Sequence, residues 1–429
     1  MAETKRSVIK KPVSMVLRLL GPGLVTGAAD DDPSGIATYS QAGAQFGYGL
    51  LWTVFLTTPF MIAIQLVSAR IGRVTGKGLA ANVMELAPRW LVLALVFLLV
   101  LANTFNIAAD IAAMGESLSL VVGGLSHEHA LIFASTSTLL QVFVPYRRYA
   151  PVLKFLTLTL FAYVATALTV DIPWSKALLA AVWPTPTINA NYFLMVVAVL
   201  GTTISPYLFF WQASQEVEEM NQGKIDRPLR ELKKGGDPEL KRIRIDTIVG
   251  MFFSNAIAFF IILTTAAVLN AHGVTNINSA TEAAEALRPL AGDFTFLLFA
   301  LGIIGTGMLA IPVLAGSAAY GVAEAFGWHA TLEARAPEAV GFYAIIAAAT
   351  VIGFGLGFTG IDAIKMLVWS AVLNGIVAVP IMAMMMVIVG NEALMGRFKA
   401  GRRLTILGWI GTALMAVAVI ALFCSFIIG

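Results

Sequence analysis

Residues 27–40 read GAADDDPSGIATYS, three consecutive aspartates, Asp30, Asp31 and Asp32, followed by Pro33, Ser34 and Gly35 with apolar sequence on both sides. Proline has no backbone N–H and disfavours helix at the residue before it, so this stretch predicts a helix interrupted at Asp32-Pro33. Whether that interruption lies in water or in a bilayer decides the fold. Of the 429 residues, 58% are hydrophobic and 12% charged, where a soluble domain carries roughly 25% charged residues. Several apolar stretches reach the ~20 residues that cross a hydrocarbon core of ~30 Å as helix. The alternating strands of a membrane barrel are not seen. Composition therefore predicts an all-α integral membrane protein with the triple aspartate inside its first span.

Apolar patterning predicts eleven spans, at about 14–44, 48–70, 90–120, 130–145, 150–170, 191–215, 246–270, 294–325, 339–358, 364–390 and 404–428. The opening MAETKRSVIKK is polar and basic without a cleavage pattern behind it, so the first span is expected to be retained. With the N-terminus in the cytoplasm, 25 of the 28 basic residues fall on the cytoplasmic side, and only Lys176, Arg288 and Lys365 on the other. This asymmetry predicts a multi-pass protein of a bacterial inner (plasma) membrane, N-terminus cytoplasmic and C-terminus extracytoplasmic. No loop is large enough to fold alone, so residues 1–429 are read as a single transmembrane domain. The charged stretch 216–245 reads as a solvated, helical connector that sets topology rather than binding nucleic acid. Cys424 is the single cysteine, which excludes an intramolecular disulfide or a thiolate metal cluster.

A second interruption falls at Ser205-Pro206 in the sixth span, at the place corresponding to the first. Two groups of five spans, each opening on a broken helix, predict an inverted repeat of the kind found in secondary transporters. The first repeat covers about 14–170, the second about 191–390, and an eleventh helix about 404–428. Unwound backbone at membrane depth is tolerated where it lines a cavity. A carboxylate buried there costs several kcal/mol unless compensated, and a hard cation held by carboxylate and carbonyl oxygens compensates it. One acid at such a break is explained as a helix cap. Three exceed that need, and Asp32 is the first candidate ligand.

The residues then resemble the Nramp family of divalent metal transporters. GPGLVTGAADDDPSGIATYSQAGAQFGYGLLW is similar to that family's first helix, which carries Gly-Pro-Gly, Asp-Pro-Gly-Asn and Gln-Ala-Gly-Ala-Gln-Phe-Gly. NIAADIAAMGESLSLVVG in the third span, YRRYAPVLKFLTLTLFAYVATAL in the fifth and LFALGIIGTGMLAIPVLAGSAAYGVAEAFGW in the eighth extend the match over roughly residues 18–390. The resemblance implies the LeuT-like fold of five plus five helices with an eleventh, working by alternating access around one central metal site. It places the family's metal-binding aspartate on Asp32. Gly35 replaces the family's asparagine, and Ser205-Pro206-Tyr207-Leu208 stands where the family reads Met-Pro-His-Asn. A site of Asp32, Asp31, Ser205 and the backbone carbonyls near Ala29 and Thr202, with Asp30 beside it, would be all oxygen. Losing the soft thioether favours Mg²⁺, Ca²⁺ and Mn²⁺ over softer metals. These departures are similar to those of the Nramp-related magnesium transporters.

The same resemblance bears on coupling, which the family normally runs through histidines of the sixth helix and acids of the third. Here Tyr207 and Gln212 occupy the histidine positions, Asp110 is kept, Ala113 replaces the family's glutamate and Glu116 lies two turns beyond Asp110. His127, His129, His272 and His329 fall in loops or at span ends. Without a membrane histidine, whose pKa suits a proton relay, weak or absent proton coupling is expected. Raised carboxylate pKa values leave a carboxylate relay open, and Asp110 reads equally as a structural acid. His127-Glu128-His129 is read as a solvated loop, the methionines of PIMAMMMVIVG as packing or lipid-facing, and Asn374 as a possible gating residue or an interhelical hydrogen-bonding group.

The expectation is a divalent metal-ion transporter for Mg²⁺ and/or Mn²⁺, not an enzyme. The metal is cargo, no cofactor is implied, and the partners are the ion and the lipid bilayer, with no nucleic acid and no required protein partner. A conventional proton-coupled Mn²⁺/Fe²⁺ importer is the alternative. An amino-acid transporter of the same fold fits less well, since three aspartates would repel a substrate carboxylate. An intramembrane aspartyl protease with Asp32 and Asp110 as its dyad lacks the sequence context, and a metal sensor lacks a sizeable output domain.

Overall fold

Two prolines begin two half-helices, and the rest of the bundle is arranged around them. The computed structural model describes residues 21–184, 186, 189–222, 226–232, 234–332, 336–359 and 362–428. The basic residues Lys5, Arg6, Lys10, Lys11 and Arg18, the first residues of the first span, and Lys224, Lys233 and Arg335 lie outside the described residues. The first span is α1 (Pro22–Asp30) and α2 (Pro33–Phe46), followed by α3 (Leu51–Thr75), α4 (Arg89–Val122) and α5 (Ser126–Phe143). The fifth span is α6 (Tyr146–Leu156) and α7 (Phe161–Thr169), joined by a 3₁₀ turn. The sixth is α8 (Ala190–Thr203) and α9 (Pro206–Gln222). Then come α10 (Asp237–Val268), α11 (Thr295–Phe326), α12 (Val340–Leu356), α13 (Ala363–Gly390) and α14 (Arg402–Ile428). Among the described residues, seven helical stretches are long and apolar enough to cross a membrane, while Thr157–Thr169 and Val340–Leu356 are shorter apolar helices.

The break in the first span follows from local chemistry. Asp32 adopts an extended conformation (φ −70°, ψ 171°), as a residue preceding proline prefers, and Pro33 takes the helix start, where its missing N–H costs nothing. The Asp32 side chain caps α2 by accepting from the Gly35 amide. Pro206 starts α9 in the same way after Ile204 and Ser205 leave the helix.

The packing brings the breaks together. Both α1 and α2 lie along α10, α8 lies along α13, and α9 packs on α3 and α11. A scaffold of α4, α5, α11 and α12 packs beside them, with α13 contacting α4, and α14 sits outside against α3, α8 and α13. Close backbone approach holds α1 on α10: a Cβ on Gly27 would sit 2.4 Å from the Gly250 carbonyl oxygen, and one on Gly250 2.2 Å from that of Gly23. The fold is all-α and LeuT-like, as the sequence predicted.

Two local expectations are corrected. His127, Glu128 and His129 lie in the first turns of α5 rather than in a loop. Stretch 216–245 is not a solvated connector throughout, because α9 runs on to Gln222 and buries Glu216 and Glu218. Of the two readings open for the methionines of PIMAMMMVIVG, packing holds for Met382, Met385 and Met386, which are buried.

Candidate metal site

Asp32 is buried (2% exposed) and is held by three donors. Its Oδ1 accepts from the Gly35 amide at 2.7 Å, at the positive end of α2. Its Oδ2 accepts from Asn106 Nδ2 on α4 at 2.9 Å and from the Tyr207 hydroxyl on α9 at 3.3 Å. The Tyr207 hydroxyl also lies 3.0 Å from the Ala29 carbonyl at the end of α1, so one phenol ties both half-helices of the first span to the sixth. Behind Asn106, the Ser370 hydroxyl of α13 donates to Asn106 Oδ1 at 2.6 Å and meets the Ser34 hydroxyl at 3.1 Å. Apart from the Gly35 cap, every link of this network joins residues far apart in sequence.

Asp30 and Asp31 take a different direction. The Ser254 hydroxyl of α10 bonds the Asp30 carboxylate and lies 3.2 Å from Asp31 Oδ1. Asp30 Oδ1 has no protein hydrogen-bond partner. Asp110, fully buried on α4, faces the Ser34 amide but has no hydrogen bond of good geometry at either oxygen, and the charge acting on it is that of Asp32. Four buried carboxylates therefore surround the break. The charged groups acting on them are one another, with no lysine or arginine among them. A buried carboxylate without donor or counter-charge is costly. A dication fits that deficit. Among the described residues no three His, Cys, Asp or Glu side chains converge closely enough to hold one ion. In this arrangement the acids lie around the break, and protein donors occupy the oxygens of Asp32.

The other sequence candidates are placed as follows. Ser205 turns its hydroxyl back onto the carbonyls of Gly201 (2.7 Å) and Thr202 (2.9 Å). The Thr202 hydroxyl lies beside Gly35, 3.2 Å from where a Cβ would stand, so an asparagine at position 35 would have to displace it. Gln212 sits one level away from Asp32, accepting from Thr26 at 2.6 Å and from Gln65 at 3.3 Å, with Glu216 at 3.4 Å. Glu116 accepts from the Ala280 amide in the connection before α11. Asn374 is buried on α13 with Oδ1 unpartnered.

Sequence reasoning missed Asn106, Ser34, Ser370 and Ser254. Asn106 was within reach, since it lies four residues before Asp110 and thus on the same face of α4. Nothing local marks Ser254 or Ser370. It also missed the closure of α1. Asp246 of α10 accepts from the amides of Gly21 (2.9 Å), Gly23 (2.7 Å) and Leu24 (3.1 Å), which the α1 N-terminus leaves free. One turn earlier, Arg242 pairs with buried Glu216 at 2.8 Å and with Glu219 at 3.0 Å.

A family model, Natural resistance-associated macrophage protein-like, matches residues 23–425. The chain is 26% identical over 427 residues to the divalent metal cation transporter MntH of Yersinia pestis, covering 95% of this chain and 94% of that protein. It is 27% identical over 410 residues to the MntH of Klebsiella pneumoniae, covering 93% and 92%. In three dimensions it is similar to the manganese transporter of Eremococcus coleocola, with a TM-score of 0.74 at 16% identity, covering 99% of this chain and 89% of that one.

Proposed function

This chain belongs to the Nramp family, and from that premise we propose that it moves Mg²⁺ and Mn²⁺ by alternating access, with weak or no proton coupling. Members of the family are transporters and not enzymes, and divalent metal-ion transport is the activity of the relatives named above. The observation that carries the finer reading is the ring of Asp30, Asp31, Asp32 and Asp110 with no basic partner, beside a second break that presents Ser205 in place of a thioether. An oxygen-only set suits hard ions. In the ion-bound state Asp32 supplies charge, with Asp31, the Ala29 and Thr202 carbonyls and Ser205 completing the set, and Asp30 and Asp110 balancing the second charge. Tyr207, linking Asp32 to Ala29, acts as the gate between the half-helices. Gln212, Glu116 and Asn374 sit at the positions from which coupling or gating would be tuned. The ion is cargo, and no cofactor enters the reading.

The basic asymmetry of the loops supports a plasma-membrane placement with the N-terminus cytoplasmic and the C-terminus outside. One domain, with repeats over about 14–170 and 191–390 and an added helix over about 404–428, accounts for the two breaks. The test is uptake into proteoliposomes of Mg²⁺, Mn²⁺ and Ca²⁺ with internal pH followed in parallel, for wild type and Asp32→Ala. Mg²⁺ and Mn²⁺ entry at steady internal pH, lost in the variant, is the expected result. Mn²⁺ entry with acidification and without Mg²⁺ entry would instead establish the conventional proton-coupled importer.

A further inference from the structure

A groove of about 820 Å³ opens between α3, α10 and α14, on the far side of α10 from the aspartate ring. Its volume lies in the range of pockets that hold small molecules, roughly 300–1,000 Å³. Five cations line it: Arg70, Lys241, Arg244, Arg402 and Arg403. No carboxylate does. Arg70 donates its Nε to the Phe398 carbonyl at 2.8 Å. None of the five is ion-paired among the described residues.

The position of these cations is informative. Arg70 lies in the closing turns of α3, Lys241 and Arg244 in the opening turns of α10, and Arg402 and Arg403 begin α14. All three helices are long and apolar enough to cross a membrane, so the charges collect at one end of three spans. From there the groove runs along an apolar wall. Pro59, Ile62, Ala63 and Leu66 share one face of α3 at helical spacing, and Ile248 and Leu407 face them from α10 and α14. A cationic mouth at the membrane surface that continues into an apolar trench matches a molecule with an anionic head and a hydrocarbon tail. We infer that this groove binds an anionic phospholipid, phosphate and glycerol against the five cations and one acyl chain along the α3 face. Basic pockets between spans bind such headgroups at about 1 kcal/mol per lysine or arginine near the surface. A bound lipid would fasten the start of α10, the helix whose Asp246 clamps α1, to α3 and α14.

The test compares wild type with a variant carrying Lys241→Gln, Arg244→Gln, Arg402→Gln and Arg403→Gln. All four side chains are exposed, and Arg70 is left in place to keep its bond to Phe398. A charge-matched control carries Arg89→Gln, Arg148→Gln, Lys176→Gln and Lys365→Gln at exposed sites elsewhere. Purified full-length proteins are titrated with phosphatidylglycerol, phosphatidylcholine or inorganic phosphate and read by native mass spectrometry. Wild type and control should retain phosphatidylglycerol in preference to phosphatidylcholine. At roughly fivefold per cation, the groove variant should lose on the order of a hundredfold or more in phosphatidylglycerol affinity. Unchanged elution and thermal unfolding of the lipid-free variant establish that it is folded. Equal retention of the two lipids, equal loss in variant and control, or displacement of the lipid by millimolar phosphate would overturn the inference.

Discussion

Replacing Asp246 by alanine removes the acceptor for three amides at the start of α1 while leaving the residues of the proposed metal site untouched. Gly21 offers α1 no side-chain cap, and the cap comes from α10, 225 residues away in sequence. Loss of an N-cap costs up to ~2 kcal/mol, and removing a negative charge from a partly buried helix N-terminus about 1 kcal/mol more. Because the glycine contacts with α10 and the Thr26–Gln212 bond survive, the change acts on the equilibrium between docked and undocked α1 by about 2–3 kcal/mol. That is roughly a 30- to 150-fold rise in the undocked population. Hydrogen exchange followed by mass spectrometry reads it directly. Peptides spanning residues 21–30 should exchange faster by that factor, while those spanning 33–46 should keep the wild-type rate, because α2 is capped independently by Asp32. Acceleration of both halves together would mean global loosening, and no acceleration of 21–30 would mean that glycine packing alone holds α1. Either result refutes the clamp.

Other perturbations test the remaining links. Arg242→Ala leaves the Glu216 carboxylate, 0% exposed, without its cation, a loss of about 3–5 kcal/mol seen as earlier thermal unfolding, and adding Glu216→Gln should restore most of it. Asn106→Ala strips one donor from Asp32 Oδ2 and should weaken Mn²⁺ binding by calorimetry about 10- to 100-fold, the usual effect of losing a group that orients a ligand. Ser205→Met restores a soft donor at the second break, so Cd²⁺ should inhibit Mn²⁺ uptake at roughly tenfold lower concentration than in wild type, a difference of ~1.4 kcal/mol.

The membrane class, the two broken helices and the prominence of Asp32 are legible in the chain because each rests on local physics. Apolar length sets a span, proline removes a donor, and Asp32 is both the residue before proline and the cap of the helix that follows. The resemblance of residues 21–52 to one family carried the fold beyond that. What a ligand list read along the chain could not settle is how adjacent side chains divide. Asp30, Asp31 and Asp32 are consecutive, yet the first two face Ser254 and the third faces Asn106 and Tyr207. That division is made where α1 ends and α2 begins, since the turn between them sends successive side chains in different directions. The partners arrive from α4, α9, α10 and α13, helices placed by packing rather than by sequence neighbourhood. Asp246 and Ser254 illustrate the limit, being unremarkable polar positions in α10 until glycine contacts bring α1 against it. The residue types and the break points were determined by sequence alone. Which oxygens meet which donors was decided by the crossing of helices, because a hydrogen bond needs atoms within about 3 Å and only tertiary packing sets that distance for residues far apart in the chain, such as Asp32 and Asn106.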